Sequence, residues 1–267
     1  MRPIEINAMK TSICTYGFIP VRTQPAEQAE MVTQLLFGEV FTILQSEEKW
    51  SYIKSHYDQY EGWIDSKLVE KLPDNLVKKW DEADKWIVPG PYVKVISESD
   101  NSTLFVPGGS SIYFNCQDRN CFQIGHREYY LSGNCNVDKP NENINEISKA
   151  FINSPYLWGG RSFYGIDCSG FVQVVFKIAG IPLPRDASQQ IELGQNVSFV
   201  EEAQAGDLAF FDNAEGNITH VGLCLGRGQI IHASGRVRID KLDHQGIFDN
   251  DHKTYSHKLR IIKRIIE

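Results

Sequence analysis

The sequence predicts an α+β protein, with two small all-β barrels followed by a larger domain in which helices come first and strands afterwards. Three observations carry this prediction. Residues 13–72 fall into short strand-like runs separated by turns rich in Gly, Asp and Glu, and residues 92–135 repeat that style after the break Pro89-Gly90-Pro91. From Asn143 onward the apolar residues recur instead at helical spacing. The chain has 267 residues, and at ~150 residues per domain such a length allows two domains, or three when some are small.

In the first region the runs are ICTYGFIPVRT (13–23), EVFTILQSEE (39–48), WSYIKSHY (50–57) and EGWID (61–65). Short strands recurring about every ten residues are the signature of a small barrel or sandwich, here placed over 1–72. Leu76, Val77, Trp80 and Ala83 then follow helical spacing after Pro73, with Asn75 available as a cap, so 73–88 is expected to hold a short linking helix. The runs YVKVI, TLFV, SIYFNC, CFQIG and EYYLS predict a second barrel over 89–140. In the last region, 141–267, Asn143 precedes Glu146 by three residues in a capping arrangement. Ile144, Ile147 and Phe151 mark one helical face there, ended by Pro155. A second helix is expected from Cys168 to Ala179, closed by Gly180 and Pro182, before strand-like runs at 207–212, 218–225 and 229–234.

Composition excludes several function classes. Hydrophobic residues at 42% and charged residues at 23% are ordinary for a globular protein. The net charge of −7 argues against a nucleic-acid partner, because phosphate binding needs clustered Lys and Arg. The most apolar stretch, 171–181, is interrupted by Gln173 and Lys177 and falls short of the ~20 residues of a membrane span, so no integral membrane segment is expected. The first twenty residues lack the apolar core and cleavage site of a signal peptide, which predicts a cytoplasmic location, or secretion if a leader has been removed. The six cysteines, at 14, 116, 121, 135, 168 and 224, are too few for a disulfide scaffold, and a reducing compartment predicts six free thiols. Cys116, Cys121, His126 and Cys135 offer soft ligands, but their spacing lacks paired C-x₂₋₄-C knuckles; neither a metal nor another cofactor is expected. The oligomeric state is not legible.

Cys168 stands apart. In the segment 156–170, YLWGGRSFYGIDCSG, it opens the second helix with Asp167 as N-cap. Unpaired N–H groups and the positive end of the helix dipole favour a thiolate there, and the same groups can bind the oxyanion formed when an amide is attacked. A nucleophile needs a base, and His220 and His232 lie in two runs joined by Gly226-Arg227-Gly228. A hairpin with that three-residue loop sets Leu225 opposite Gln229, so opposed positions sum to 454 and His220 faces 234. His232 is then its diagonal neighbour on the same face, at roughly 7–8 Å between Cα atoms. A one-residue slip would separate them. The pattern offers Cys168 as nucleophile, His220 as base and His232 as the group that orients the base.

These residues lead to a family. YLWGG, DCSG, LPR, GDLAFF, HVGL and IIHASG, in that order over 143–267, resemble the NlpC family of papain-like cysteine peptidases that cut cell-wall peptides. The resemblance implies Cys168 as nucleophile, His220 as general base and His232 as third polar residue, with Tyr156, Asp167 and Ser169 binding substrate beside the nucleophile. The Gly38-Glu39 turn, the Trp50 strand and Gly62-Trp63-Ile64 resemble bacterial SH3-like domains. Two SH3-like domains before a papain-like domain are similar to the γ-D-glutamyl-L-diamino acid endopeptidases. That likeness implies a murein-peptide substrate with a free N-terminal L-Ala, its ammonium clamped by Glu30, Tyr60 and Asp186. Two other functions stay open: a thiol amidase or acyltransferase of the same fold, and a wall-peptide binding module.

Overall fold

The computed structural model describes residues 10–116, 120–133 and 143–266. They form two units, the first built from 10–88 and 93–133, the second from 143–266 with 89–92.

The first unit contains a six-stranded antiparallel sheet, ordered Lys10–Ile13, Val40–Ser46, Trp50–Ser55, Glu61–Asp65, Phe18–Arg22, Met31–Leu36. The run 13–23 is thus two strands rather than one, because the chain turns between Ile13 and Phe18 with Gly38 N–H bonded back to Cys14 O at 2.8 Å. The strand Met31–Leu36 was absent from the expected set; its burial runs continuous from Thr33 to Leu36 instead of alternating, which hides the period of two. Its partner sheet holds Cys121–Ile124, Arg127–Ser132, Tyr92–Ser97 and Thr103–Pro107 in that order. Of the run 111–116 only Ser111–Ile112 is strand, paired with Trp86–Ile87.

The helix Asp74–Glu82 is part of the core and not merely a connection. Val77 and Trp80 are buried in one cluster with Ile13 and Val40 from the first sheet, Phe37 from the turn before Val40, and Val95, Phe122 and Leu131 from the second. Trp80 Nε1 donates to Gly38 O at 2.9 Å, satisfying the one polar atom of a side chain otherwise buried in hydrocarbon. Its N-cap is Pro73 and not Asn75; Pro73 supplies the extended backbone that starts the helix without a side-chain cap.

A second correction concerns cysteine. Cys116 and Cys121 are joined by a disulfide, whereas Cys14, Cys168 and Cys224 are buried and form none; Cys135 lies outside the described residues. The expectation of six free thiols gives way to this bridge. Thiol titration of the denatured protein should find two more reactive groups after reductant than before; equal counts would restore the reducing-compartment expectation.

The second unit begins with the helix Ile144–Lys149, capped by Asn143, whose side chain accepts from the N–H groups of Asn145 and Glu146. It stops at Ala150, five residues before Pro155, because the chain turns through Asn153 at φ 71°. The helix Cys168–Ile178 is buried along its whole length and packs against the strands Ile218–Gly226 and Gln229–Ser234. Those two belong to a seven-stranded antiparallel sheet ordered Gln195–Val197, Thr254–Arg264, Leu208–Asp212, Ile218–Gly226, Gln229–Ser234, Arg236–Asp243, Gly246–Asp249. The last of these also pairs with Thr254–Arg264, which closes six of the seven strands into a barrel. No helix among the described residues is long and apolar enough to cross a membrane.

Candidate active site

Asp167 fixes the start of the helix that carries Cys168. Its Oδ1 accepts from Gly170 N at 2.7 Å and its Oδ2 from Gly159 N at 2.9 Å, while the Arg185 guanidinium grips both oxygens. Arg185 also donates to Ser169 Oγ at 2.8 Å. Both members of this ion pair are buried, so the first turn is held by charge-assisted hydrogen bonds on every side. Gly170 has to be glycine, because a Cβ there would lie 2.3 Å from Gly160 O. With Gly170 N–H capped, the N–H groups of Cys168 and Ser169 remain at the helix start.

The strand Ile218–Gly226 places His220 on the same side, and the N–H of Val221, the next residue, hydrogen-bonds to the Cys168 sulfur. His220 Nε2 and His232 Nδ1 are 2.9 Å apart, with their rings edge to face. The shared face expected from strand parity is therefore present, although the turn differs from the expected one. Gly226 and not Leu225 opposes Gln229, so the loop is Arg227-Gly228, both at positive φ. A bulge at Leu225 absorbs the extra residue, and Cys224 opposite Ile230 restores the sum of 454. Gly222 keeps the approach close: a Cβ there would stand 2.9 Å from that of His232.

Burial governs the protons. Cys168 and His220 are each 5% exposed and His232 1%. Burial pushes the Cys168 thiol up to about 11, the Asp167 charge adds to this, and the Val221 N–H, Arg185 and the Ser169 N–H pull the other way. The helix N-terminus alone does not make a thiolate here; desolvation outweighs it. Burial also holds His220 well below its ordinary value, helped by His257 and His232. A thiol can attack a carbonyl once its proton passes to a neutral imidazole such as that of His220. If His220 is that base, proton uptake disables it only below its lowered value, so kcat/KM should persist as pH falls past 6.5 and decline in a more acid range. An acid limb centred at 6.5 or above would contradict this burial effect.

The comparisons with known proteins agree with this geometry. Over 219 residues the chain is 44% identical to a gamma-D-glutamyl-L-lysine dipeptidyl-peptidase of Bacillus subtilis (strain 168), covering 75% of this chain and 71% of that relative. The chain belongs to the NlpC/P60 family. That family matches residues 153–255, and the bacterial dipeptidyl-peptidase SH3 domain matches 21–68. A protein of the same name from Bacillus cereus (strain ATCC 10987 / NRS 248) is 29% identical over 76% of this chain and 67% of its own. The crystal structure of an NlpC/P60 family protein from Bacillus cereus ATCC 10987 shares the fold, with a TM-score of 0.81 at 20% identity over 97% of this chain and all of that one.

Within the NlpC/P60 domain, Tyr156 is half-buried, and its hydroxyl is pushed up to about 12 by burial and by the neighbouring Cys168 and Asp167, so it stays a hydrogen-bond donor at neutral pH. The side chains of Asp167 and Ser169 are engaged with Arg185 as described. Asp186 precedes the short helix Ala187–Gln190, its N–H directed at Gln189 Oε1 at 3.4 Å. Glu30 is exposed and Tyr60 half-buried, both in the first unit, where Glu30 O accepts from Thr23 N and Tyr60 O from Ser55 N.

Two groups packed against the histidine pair escaped the sequence reading. His257, on Thr254–Arg264, stacks on His220 at 4.1 Å between centroids and 23° between planes, and burial lowers it to about 4. Asp240, on Arg236–Asp243, lies 3.1 Å from His232 Nε2.

Proposed function

We propose that the protein is a cysteine endopeptidase that hydrolyses the bond between γ-D-Glu and a diamino acid in murein peptides. The observation that carries this reading is the buried imidazole pair beside a thiol at a helix start, on a chain 44% identical to a gamma-D-glutamyl-L-lysine dipeptidyl-peptidase. Cys168 Sγ attacks the γ-carbonyl of D-Glu as its proton passes to His220. The oxyanion is received by the N–H groups at the helix start and by the Tyr156 hydroxyl. His220 then protonates the leaving amine of the diamino acid. Water, deprotonated by the same imidazole, releases L-Ala-γ-D-Glu from the thioester and regenerates the thiol.

Mass spectrometry of the products from L-Ala-γ-D-Glu-L-Lys and its meso-diaminopimelate counterpart tests the reading. L-Ala-γ-D-Glu plus the free diamino acid is the expected outcome. Cleavage at another bond, or transfer of the acyl group to an added amine in preference to water, would replace it with the amidase or acyltransferase alternative.

A further inference from the structure

His232 is held from two sides, and the side away from His220 has a chemistry of its own. Asp240 is 4% exposed, yet it carries a carboxylate among three imidazoles: His232 touches it directly, and His220 and His257 lie beyond. Arg238 binds the same carboxylate, Nε to Oδ2 at 2.7 Å and an Nη to Oδ1 at 2.9 Å. Arg238 is fixed in turn by Asp249 at 3.0 Å and Asp251 at 3.1 Å, and His252 sits on Asp249. Burial works against the Asp240 charge, but the hydrogen bonds from His232 and Arg238 keep the carboxyl below its ordinary value.

An ionised carboxylate only accepts hydrogen bonds. His232 Nε2 must therefore carry the proton it gives to Asp240, which leaves Nδ1 of the neutral ring as an acceptor. Nδ1 faces His220 Nε2, which must donate. The remaining nitrogen of His220, Nδ1, is then unprotonated. We propose that Asp240, oriented by Arg238, is the positioning residue that sets the tautomers of both histidines, so that His220 presents a bare Nδ1 to the thiol. The proposal rests on the cysteine-peptidase reading of Cys168 and His220, and adds a fourth member acting through the third.

The substitution Asp240→Leu removes this control. The leucine fills the carboxylate's place but accepts no hydrogen bond, and Arg238 keeps Asp249 and Asp251 as partners. The buried Nε2–H of His232 is left without its acceptor, so the ring's proton shifts to Nδ1, where it is donated to His220 Nε2, and the proton of His220 moves to its own Nδ1. The base is lost while the packing is kept.

Two measurements decide the matter. Nitrogen-15 imidazole spectra of the unmodified protein at neutral pH should show both His220 and His232 protonated at Nε2; a proton on His232 Nδ1 overturns the proposal. In Asp240→Leu, alkylation of Cys168 by iodoacetamide at neutral pH should slow by roughly 100-fold or more, the order expected of a wrong tautomer. Its rate should recover toward alkaline pH, where hydroxide replaces the base. Asp243→Asn, on the same strand but bonded to Tyr255 and outside this chain of contacts, should alkylate within about twofold of the parent. A folded Asp240→Leu protein with the parent's rate and pH profile overturns the proposal, and if that variant does not fold, the spectra decide. Alkylation and spectra behaving as stated with no cleavage of L-Ala-γ-D-Glu-L-Lys would uphold the positioning role and refute the substrate.

Discussion

Replacing Cys168 by Ala should abolish cleavage of L-Ala-γ-D-Glu-L-Lys, with a loss of at least ~10⁴-fold in kcat, because no other group can form the acyl intermediate. The same change should leave the fold standing. The substitution keeps the Cβ in its buried place and removes only the sulfur; the capping bonds from Gly170 and Gly159 to Asp167 are untouched. A stability change within about 1 kcal/mol is expected. His220→Ala should approach the same loss of turnover, since a thiol pushed up to about 11 has almost no thiolate at neutral pH without a base. Burst-free progress curves and circular dichroism of both variants give the check. Peptidase activity surviving in a contamination-free preparation of Cys168→Ala would remove the thiol from the mechanism.

What the sequence disclosed about this site depended on whether the relevant contact was local. The catalytic helix was legible because its cap, its glycine stop and its apolar run sit within thirteen residues of one another, 167–180. The His220–His232 pair was legible from parity across one tight turn, and it survived a wrong loop because the bulge at Leu225 returned the register. Asp240 was within reach of the same arithmetic. Ser234 pairs with Arg236 across Gly235, so opposed positions sum to 470, His232 faces Arg238, and Asp240 is its diagonal neighbour on that face. The signal was missed because RVRIDKLD, with five charges in eight residues, does not look like a buried strand. His257 could not have been found this way. It reaches His220 only because Thr254–Arg264 pairs with both Leu208–Asp212 and Gly246–Asp249, and such barrel closure is fixed by contacts far apart in sequence. The pKa of Cys168 was misjudged for a related reason, since a helix start is visible in a sequence and the depth of its burial is not.

Arg185→Leu should cost the second unit about 3–5 kcal/mol, the usual penalty for stripping one partner from a buried ion pair. Arg185 is 2% exposed, and it is the cationic partner of an Asp167 carboxylate that is itself buried under the catalytic helix. Without the guanidinium, the carboxylate keeps the N–H groups of Gly159 and Gly170 but loses its neutralising charge. Urea unfolding should show the loss directly, and at about 3 °C per kcal/mol the melting point should fall by roughly 10 °C. The pair Arg185→Leu with Asp167→Asn should recover part of it. An Asn oxygen can still cap the helix through Gly170 N–H, so the double variant keeps the hydrogen bond and discards the uncompensated charge. A double variant less stable than Arg185→Leu alone would show that the cost comes from lost packing of the Arg185 stem and not from the bared charge. Cys168 alkylation then separates architecture from chemistry. If Asp167 and Arg185 act only by fixing the helix start, the double variant should react at a rate close to the parent's wherever it is folded, because His220, His232 and Asp240 stand on the opposite strands and are not changed by it.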